Sequence, residues 1–212
     1  MKMSRDEFDR RYDAGTLKVA LIGMSNIGKS YSGMRLATQY DFTLIEVDRL
    51  IWDALGETDM DAFAAWQGQP YSDGYDARER QSIAMETDAT RESLTTIARN
   101  PLLDTTGSVI YTDADVLQLI REDWFTVYIE AAPDHLDRLK DQYFAQPKPL
   151  AWHGQYRKRD GMSERESLLA SYPDLLTARA RDYAALADHT ISSRDILTPD
   201  ASVLFDLVRP TP

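Results

Sequence analysis

The 212-residue sequence has no cysteine, only three histidines, and fewer basic than acidic side chains, 24 against 35. The lack of cysteine excludes disulfides and thiolate metal sites. The net charge of -11 disfavours nucleic acids and membrane surfaces as partners, because both are polyanions. No apolar segment is long enough for export or for spanning a bilayer. We therefore expect a cytoplasmic protein whose partner is a small molecule.

The apolar residues, 43% of the chain, are enough for one full hydrophobic core, so we expect a single domain over residues 1–212. They alternate between strand-like runs and helix-like patterns, which is typical of α/β proteins. Strands are predicted at 18–22, 42–47, 102–105, 125–129 and 190–192, and helices at 28–40, 77–99, 113–121, 133–144 and 173–188. The continuous apolar strands indicate a mainly parallel five-stranded sheet between two layers of helices.

One segment departs from this alternation. Residues 143–166 contain two prolines, two glycines and the basic run Arg157-Lys158-Arg159. Proline and glycine interrupt regular structure, so we predict a mobile lid over about residues 143–166. Its basic side chains either reach a bound ligand or only keep an exposed loop soluble.

The most informative motif runs from Gly23 to Ser30, where the apolar residues 19–22 precede the pattern G-x-x-x-x-G-K-S. Glycines permit a tight turn, so that successive backbone amides and the start of the next helix point at phosphate oxygens. Lys29 adds positive charge, and the Ser30 hydroxyl suits the coordination shell of Mg²⁺. The motif predicts a phosphate loop that binds ATP with Mg²⁺. The predicted nucleotide contacts are Gly23, Asn26, Ile27, Gly28, Lys29, Ser30 and Tyr31.

Acidic side chains end the second and third predicted strands. Glu46 and Asp48 are two residues apart, so on a strand both would project from one face, beside the phosphate loop. One acid can then hold Mg²⁺ while the other takes the proton of an attacking hydroxyl. Asp104 competes with Glu46 for the metal role. Solvated charges, or an ion pair between Glu46 and Arg49, are the simpler interpretation.

Over residues 18–192 the sequence resembles the shikimate kinase family, small-molecule kinases with the nucleoside monophosphate kinase fold. The acid-x-acid motif Glu46-Val47-Asp48 and the lid sequence Lys148-Pro149-Leu150 are similar to that family. The late helix carries the most specific resemblance, with Arg179, Tyr183, Ala187 and Asp188 at the family's spacing.

The resemblance implies a P-loop NTPase fold and transfer of the γ-phosphoryl group of ATP to a hydroxyl of a small acceptor, which in the family carries a carboxylate. It implies that Asp48 binds the acceptor hydroxyl and acts as the base, and that Lys148 joins Lys29 at the phosphates when the lid closes. Arg179 would hold the carboxylate, and Gly107 would contact the acceptor. Arg157 or Arg159 could replace Lys148.

Two departures from the family concern the acceptor. The family has three glycines after the third strand, and the segment 104–108 keeps only Gly107. Ile83 stands where the family has a second Arg for the carboxylate, and Arg78, Arg80 or Arg91 could replace that Arg. The sequence therefore predicts the kinase reaction more firmly than its acceptor. Two alternatives stay open. One is a kinase whose acceptor is a nucleoside, a sugar acid or an antibiotic, and the other is a degenerate or regulatory nucleotide-binding protein. The acidic charge disfavours an enzyme that acts on nucleic acid.

Overall fold

The computed structural model describes residues 3–56, 60–145 and 149–211. At its centre lies a five-stranded sheet in which every paired strand is parallel, in the order β2-β3-β1-β4-β5. The strands are β1 (Val19–Ile22), β2 (Thr43–Glu46), β3 (Pro101–Asp104), β4 (Phe125–Glu130) and β5 (His189–Ser192). The predicted parallel sheet is thus confirmed, with each strand end within about one residue of its predicted place.

Helices pack on both faces of this sheet. They are α1 (Arg5–Asp13), α2 (Lys29–Gln39), α3 (Val47–Leu55), α4 (Met60–Gln67), α5 (Tyr75–Leu94), α6 (Ala114–Asp123), α7 (Pro133–Ala145), α8 (Glu164–Leu186) and α9 (Ala201–Val208). Alternate residues of β1 show why both faces need cover. Val19 and Leu21 are buried in one apolar cluster with α2 and α9, whereas Ala20 is buried in another with α3 and α5.

Two predicted elements differ from the structure. We expected the late helix to begin at Pro173, but α8 begins at Glu164. The reason is that Ser163 and Glu166 cap its N-terminus reciprocally. Pro173 lies inside that helix. The helix predicted over 77–99 corresponds to α5, which ends at Leu94 instead of residue 99. The loop after β3 contains a single 3₁₀ turn over Val109–Tyr111.

The predicted lid is partly packed against the rest of the chain. Trp152 is buried among Tyr143 and Tyr172. The backbone amides of Trp152 and His153 both donate to the Glu79 carboxylate on α5, at 2.6 and 2.9 Å. This part of the lid segment therefore contacts α5 and α8, and its mobility stays a prediction. Within the described ranges, no helix combines the length and the apolar character needed to cross a membrane.

Candidate active site

The phosphate loop connects β1 to α2. Gly28 has a φ of +110°, and a Cβ atom there would lie 2.7 Å from Cδ1 of Ile196, so both its conformation and its surroundings require glycine. Lys29 begins α2, and its Nζ donates to the carbonyl oxygens of Gly23 and Met24, each at 3.1 Å. The loop thus holds the lysine at the start of the helix, where the amides and the helix dipole favour anions.

A cavity of about 600 Å³ opens beside this loop. Its lining comes from the phosphate loop, α3, α4, α5, α7 and the residues after β3. The predicted site residues that line it are Asn26, Gly28, Lys29, Ser30, Tyr31, Asp48 and Gly107. A single cavity therefore brings the predicted phosphate site together with the predicted base.

Other predicted site residues lie elsewhere. Ile27 is buried in the core below the loop. Glu46 and Asp104 are opposite each other in the β2–β3 register, at the strand ends behind the cavity. Lys148, the predicted lid lysine, lies outside the described residues.

Glu46 and Asp48 do not share a strand face, contrary to the sequence expectation. β2 ends at Glu46 and Val47 already begins α3, so the two acids belong to different elements. Asp48 lies in the first turn of α3 and lines the cavity, whereas Glu46 stays at the sheet edge. The helix start, and not strand alternation, therefore brings Asp48 to the cavity.

Asp104 is a buried carboxylate next to the phosphate loop. Its Oδ1 atom has no hydrogen-bond partner among the described residues. Burial raises the pKa of Asp104, while the charge of Lys29 and a hydrogen bond from Ser30 oppose that shift. In the described part of the chain no three His, Asp or Glu side chains cluster as a metal site. A Mg²⁺ ion that arrives with ATP needs only one or two protein ligands, so Ser30 and Asp104 fit such an ion.

Sequence analysis missed Glu86, which lines the same cavity. Its Oε2 accepts a hydrogen bond from the Thr106 hydroxyl at 2.9 Å. Burial raises the pKa of Glu86 to about 7, and the nearby Asp48 adds to the shift, against the opposing effects of Thr106, Arg179 and Lys29. The sequence carried one signal for it: Glu86 stands three residues after Ile83, where the family pattern has a Glu three residues after its Arg.

Glu86→Gln is expected to change how stability depends on pH. Between about pH 4.5 and 7 the folded protein keeps a proton on Glu86 that the unfolded chain has released. Below this pH range, burial of the Glu86 carboxyl does not lower the free energy of unfolding through its ionisation. The free energy of unfolding then falls as the pH rises through the range, by about 1–3 kcal/mol above it. Urea unfolding from about pH 5 to pH 8 should therefore show the variant gaining stability over the unmodified protein as pH rises. A difference that does not vary with pH would contradict this assignment.

Arg179 is buried behind the cavity wall rather than in its lining. Its Nη1 donates to the Gly107 carbonyl at 3.0 Å, and its Nη2 donates to the Ser108 hydroxyl at 2.8 Å and to the Ala151 carbonyl at 3.2 Å. The guanidinium also lies over the ring of Tyr111. Arg179 therefore joins α8 to the loop after β3 and to the start of the lid segment.

Gly107 brings two loops into direct contact. A Cβ atom at this position would lie 2.6 Å from Oγ and 3.0 Å from the backbone nitrogen of Ser25 in the phosphate loop. The only glycine left from the family's three is thus the one at which the loop after β3 touches the phosphate loop. It lines the cavity, and its contact with the acceptor stays a prediction.

The basic run of the lid is engaged locally. Arg157 donates to the Gly154 carbonyl at 2.7 Å, Arg159 to the Ala170 carbonyl at 3.0 Å, and Lys158 to the Met162 carbonyl at 2.8 Å. None of these three side chains is part of the cavity lining. A role at the phosphates, which the sequence left open for the two arginines, stays a prediction.

Known proteins resemble this chain in sequence and in fold. No protein-family model matches the chain. The shikimate kinase of Zymomonas mobilis is 24% identical over 173 residues, which cover 82% of this chain and 90% of that protein. The crystal structure of shikimate kinase from Bacteroides thetaiotaomicron matches with a TM-score of 0.57 at 17% identity, over 91% of this chain and 94% of that one.

A second structure is shikimate kinase from Acinetobacter baumannii in complex with shikimate, with a TM-score of 0.59 at 20% identity, over 93% of this chain and 92% of that one. This chain has the shikimate kinase fold. The predicted fold class and the stated resemblance are both confirmed. In the shikimate kinase fold of this chain, the cavity lies at the carboxyl ends of β1, β2 and β3, where open α/β sheets bind their ligands.

Proposed function

We propose that this protein is an ATP-dependent kinase that transfers the γ-phosphoryl group to a hydroxyl of a small acceptor. One observation carries the proposal: Lys29 of the phosphate loop and the carboxylate of Asp48 line one cavity of about 600 Å³. Phosphoryl transfer needs a cation at the phosphates and a group that takes the hydroxyl proton, within reach of each other. The likeness to shikimate kinases in sequence and fold supports the same reaction class.

The nucleotide end of the cavity is assigned to the phosphate loop. The triphosphate is proposed to lie on the amides from Asn26 to Ser30, with Tyr31 at the edge, where it is half exposed. Lys29 would stabilise the charge that develops on the leaving oxygen. Mg²⁺, when bound, neutralises the outer phosphates, and Ser30 and Asp104 would hold it, with Glu46 beside Asp104.

Asp48 is proposed as the base. It lies in the first turn of α3 and lines the same cavity as the phosphate loop, so its carboxylate would orient a hydroxyl toward the γ-phosphorus and accept the proton. Pro149, at the described start of the lid segment, lines the cavity. Excluding water there would prevent wasteful hydrolysis of ATP. Closure of the lid with Lys148 is part of the proposal. The single domain, the cytoplasmic location and the absence of nucleic-acid and membrane partners also stay predictions.

An ATP-consumption screen tests the proposed function. Purified protein with Mg²⁺ and ATP is offered hydroxy acids, sugars, nucleosides and aminoglycosides, shikimate included, and ADP release is followed. We expect ADP release that requires both Mg²⁺ and one class of acceptor, with a phosphorylated product seen by mass spectrometry. ATP binding without turnover in the presence of any acceptor would favour the alternative of a regulatory nucleotide-binding protein. Failure to bind ATP would contradict both.

A further inference from the structure

Two side chains of α8 donate hydrogen bonds to one backbone carbonyl in the cavity wall. Nη1 of Arg179 donates to the carbonyl oxygen of Gly107 at 3.0 Å, and the hydroxyl of Tyr183 donates to the same oxygen. The two side chains are almost completely buried, at 1% and 0% exposure. Because they stand four residues apart, they lie on the same side of the helix. The Arg-Tyr spacing in the late helix therefore has a structural reason in this chain: it brings two donors to one oxygen.

That oxygen belongs to the residue at which the wall meets the phosphate loop. Gly107 lines the cavity, and even a Cβ atom on it would lie 2.6 Å from Oγ of Ser25. In a close-packed interior, a movement of Gly107 toward Ser25 is blocked, and a movement away leaves a gap beside the loop. The place of Gly107 thus affects the phosphate loop, and the two donors of α8 fix that place.

Arg179 also fastens the lid segment to the wall. Its Nη2 donates to the Ser108 hydroxyl at 2.8 Å and to the Ala151 carbonyl at 3.2 Å. Its guanidinium carbon lies 5.2 Å from the centre of the Tyr111 ring, and that ring stacks on the imidazole of His153 with the centroids 4.3 Å apart. One buried side chain therefore joins α8, the loop after β3 and the start of the lid segment.

The remaining N–H of Arg179 is directed away from a contact with a large ligand. Arg179 is not among the described residues that line the cavity of about 600 Å³, but it lines a second cavity of about 30 Å³. The smaller cavity has room for about one or two water molecules. Nε of Arg179 has no hydrogen-bond partner among the described residues. An acceptor in the larger cavity could gain the terminal nitrogens only if they left Ser108 and Ala151, which are both buried, and leaving buried oxygens without donors is costly.

We infer that Arg179 and Tyr183 are positioning residues that hold Gly107, and through it the phosphate loop, in the arrangement that binds the nucleotide. This inference rests on the proposed kinase function and deepens it. It differs from the contact of Arg179 with an acceptor carboxylate, which the family resemblance implies. A loop that is held in place loses less conformational entropy when its ligand binds, so loosening the wall should lower the affinity for nucleotide.

Tyr183→Phe tests the inference with a small change. The variant loses only the hydroxyl, and its ring can keep its packing on Tyr128, whose ring centroid is 5.3 Å away. Equilibrium binding of a non-hydrolysable ATP analogue with Mg²⁺ should show Kd raised by ~3–10-fold. Tyr128→Phe is the matched control, because it removes a buried hydroxyl that has no hydrogen-bond partner among the described residues. The control should bind the analogue within about twofold of the unmodified protein.

Arg179→Lys is the second variant. It keeps the positive charge but lacks the planar fork that reaches Gly107, Ser108 and Ala151 together. We expect Kd of the analogue to rise by ~10-fold. In the double variant with Tyr183→Phe, Kd should rise by less than the product of the two single factors, because both side chains act through the same carbonyl. If circular dichroism shows that Arg179→Lys does not fold, the comparison of Tyr183→Phe with Tyr128→Phe decides.

Hydrogen exchange of the protein without ligand tests the same inference independently of nucleotide. In the wall, the amide of Ser108 donates to the Thr106 hydroxyl at 3.2 Å, and the amide of Tyr111 donates to the Ser108 carbonyl at 2.8 Å. Both amides should exchange at least ~5-fold faster in Tyr183→Phe than in Tyr128→Phe. The amides of β2 should exchange equally in the two variants.

Three results would overturn the inference or the function. An unchanged Kd in Tyr183→Phe and in folded Arg179→Lys would overturn the inference, whether the variants lose only folding stability or raise only the KM of an acceptor. Unchanged exchange at Ser108 and Tyr111 would overturn it as well. Failure of the unmodified protein to bind the analogue would instead overturn the proposed function, and hydrogen exchange would still decide whether the two side chains hold the wall.

Discussion

Lys29→Ala is expected to abolish phosphoryl transfer, lowering kcat by ~1000-fold or more. Lys29 is nearly buried, at 7% exposure, and it is the only basic side chain in the described lining of the cavity. At a side chain so little exposed, one positive charge near the leaving oxygen has a much larger effect than in bulk solvent. No other side chain in that lining can supply it. ATP affinity should fall as well, because the ground state also loses a cation.

The measurement is steady-state ADP release together with equilibrium binding of a non-hydrolysable ATP analogue. Lys18→Ala is the matched control, because Lys18 is a partly exposed lysine that faces Asp123 on the outside of the molecule. The control should keep full activity. Circular dichroism would confirm that the Lys29 variant folds, since its Nζ also contacts the carbonyls of Gly23 and Met24. If the folded variant retained more than about a tenth of the activity, the phosphate role of Lys29 would be wrong.

Asp48→Asn is expected to reduce kcat by at least ~100-fold and to leave ATP affinity within about threefold. The amide has the size of the carboxylate and still orients a hydroxyl, but it cannot take the proton. Since Asp48 belongs to α3 and not to the phosphate loop, we expect the nucleotide contacts to stay intact. The expected signature is therefore a loss of kcat with little change in nucleotide binding.

Asp53→Asn provides the comparison for this variant. Asp53 is exposed on the same helix, so its change alters the charge of α3 equally without touching the cavity. Single-turnover kinetics would separate the chemical step from product release. Full activity of the Asp48 variant would show that another group is the base. Glu86 would then be the first candidate, because it is the other carboxyl group in the described lining.

The sheet could be predicted from the sequence because its strands are short apolar runs buried on both faces. Val19–Ile22 and Pro101–Asp104 are fully covered, and nothing in them alternates with polar residues. Such runs, separated by helical patterns, leave few alternatives to a parallel sheet. The strand order β2-β3-β1-β4-β5 depends on how the helices cross between strands. The hydrophobic pattern of a single segment does not predict that order.

Boundaries were less predictable where two signals competed. Pro173 is a strong helix-start signal, yet the cap made by Ser163 and Glu166 begins the helix earlier, and the helix continues through the proline. At the end of β2, two acids two residues apart suggested one strand face. The chain enters α3 at Val47, so only Asp48 reaches the cavity.

The phosphate end of the site could be predicted from a local motif, because the loop and its lysine are contiguous in sequence. The acceptor end is assembled from side chains far apart in the chain, such as Asp48 on α3, Glu86 on α5 and Thr106 after β3. A pairing like that of Glu86 with Thr106 depends on how α5 lies against the sheet edge, which only tertiary structure supplies.

Under the proposed function, the contact of Gly107 with Ser25 forms a wall that the acceptor end and the nucleotide end of the one cavity share. If a ligand on one side shifts this wall, the free energy of that shift becomes available to, or is required from, the ligand on the other side. Thermodynamic linkage makes the effect mutual: the factor by which nucleotide alters the dissociation constant of the acceptor equals the factor by which the acceptor alters that of the nucleotide. Synergy or antagonism between the two substrates would thus depend on the contact of Gly107 with Ser25, where no side chain larger than hydrogen fits.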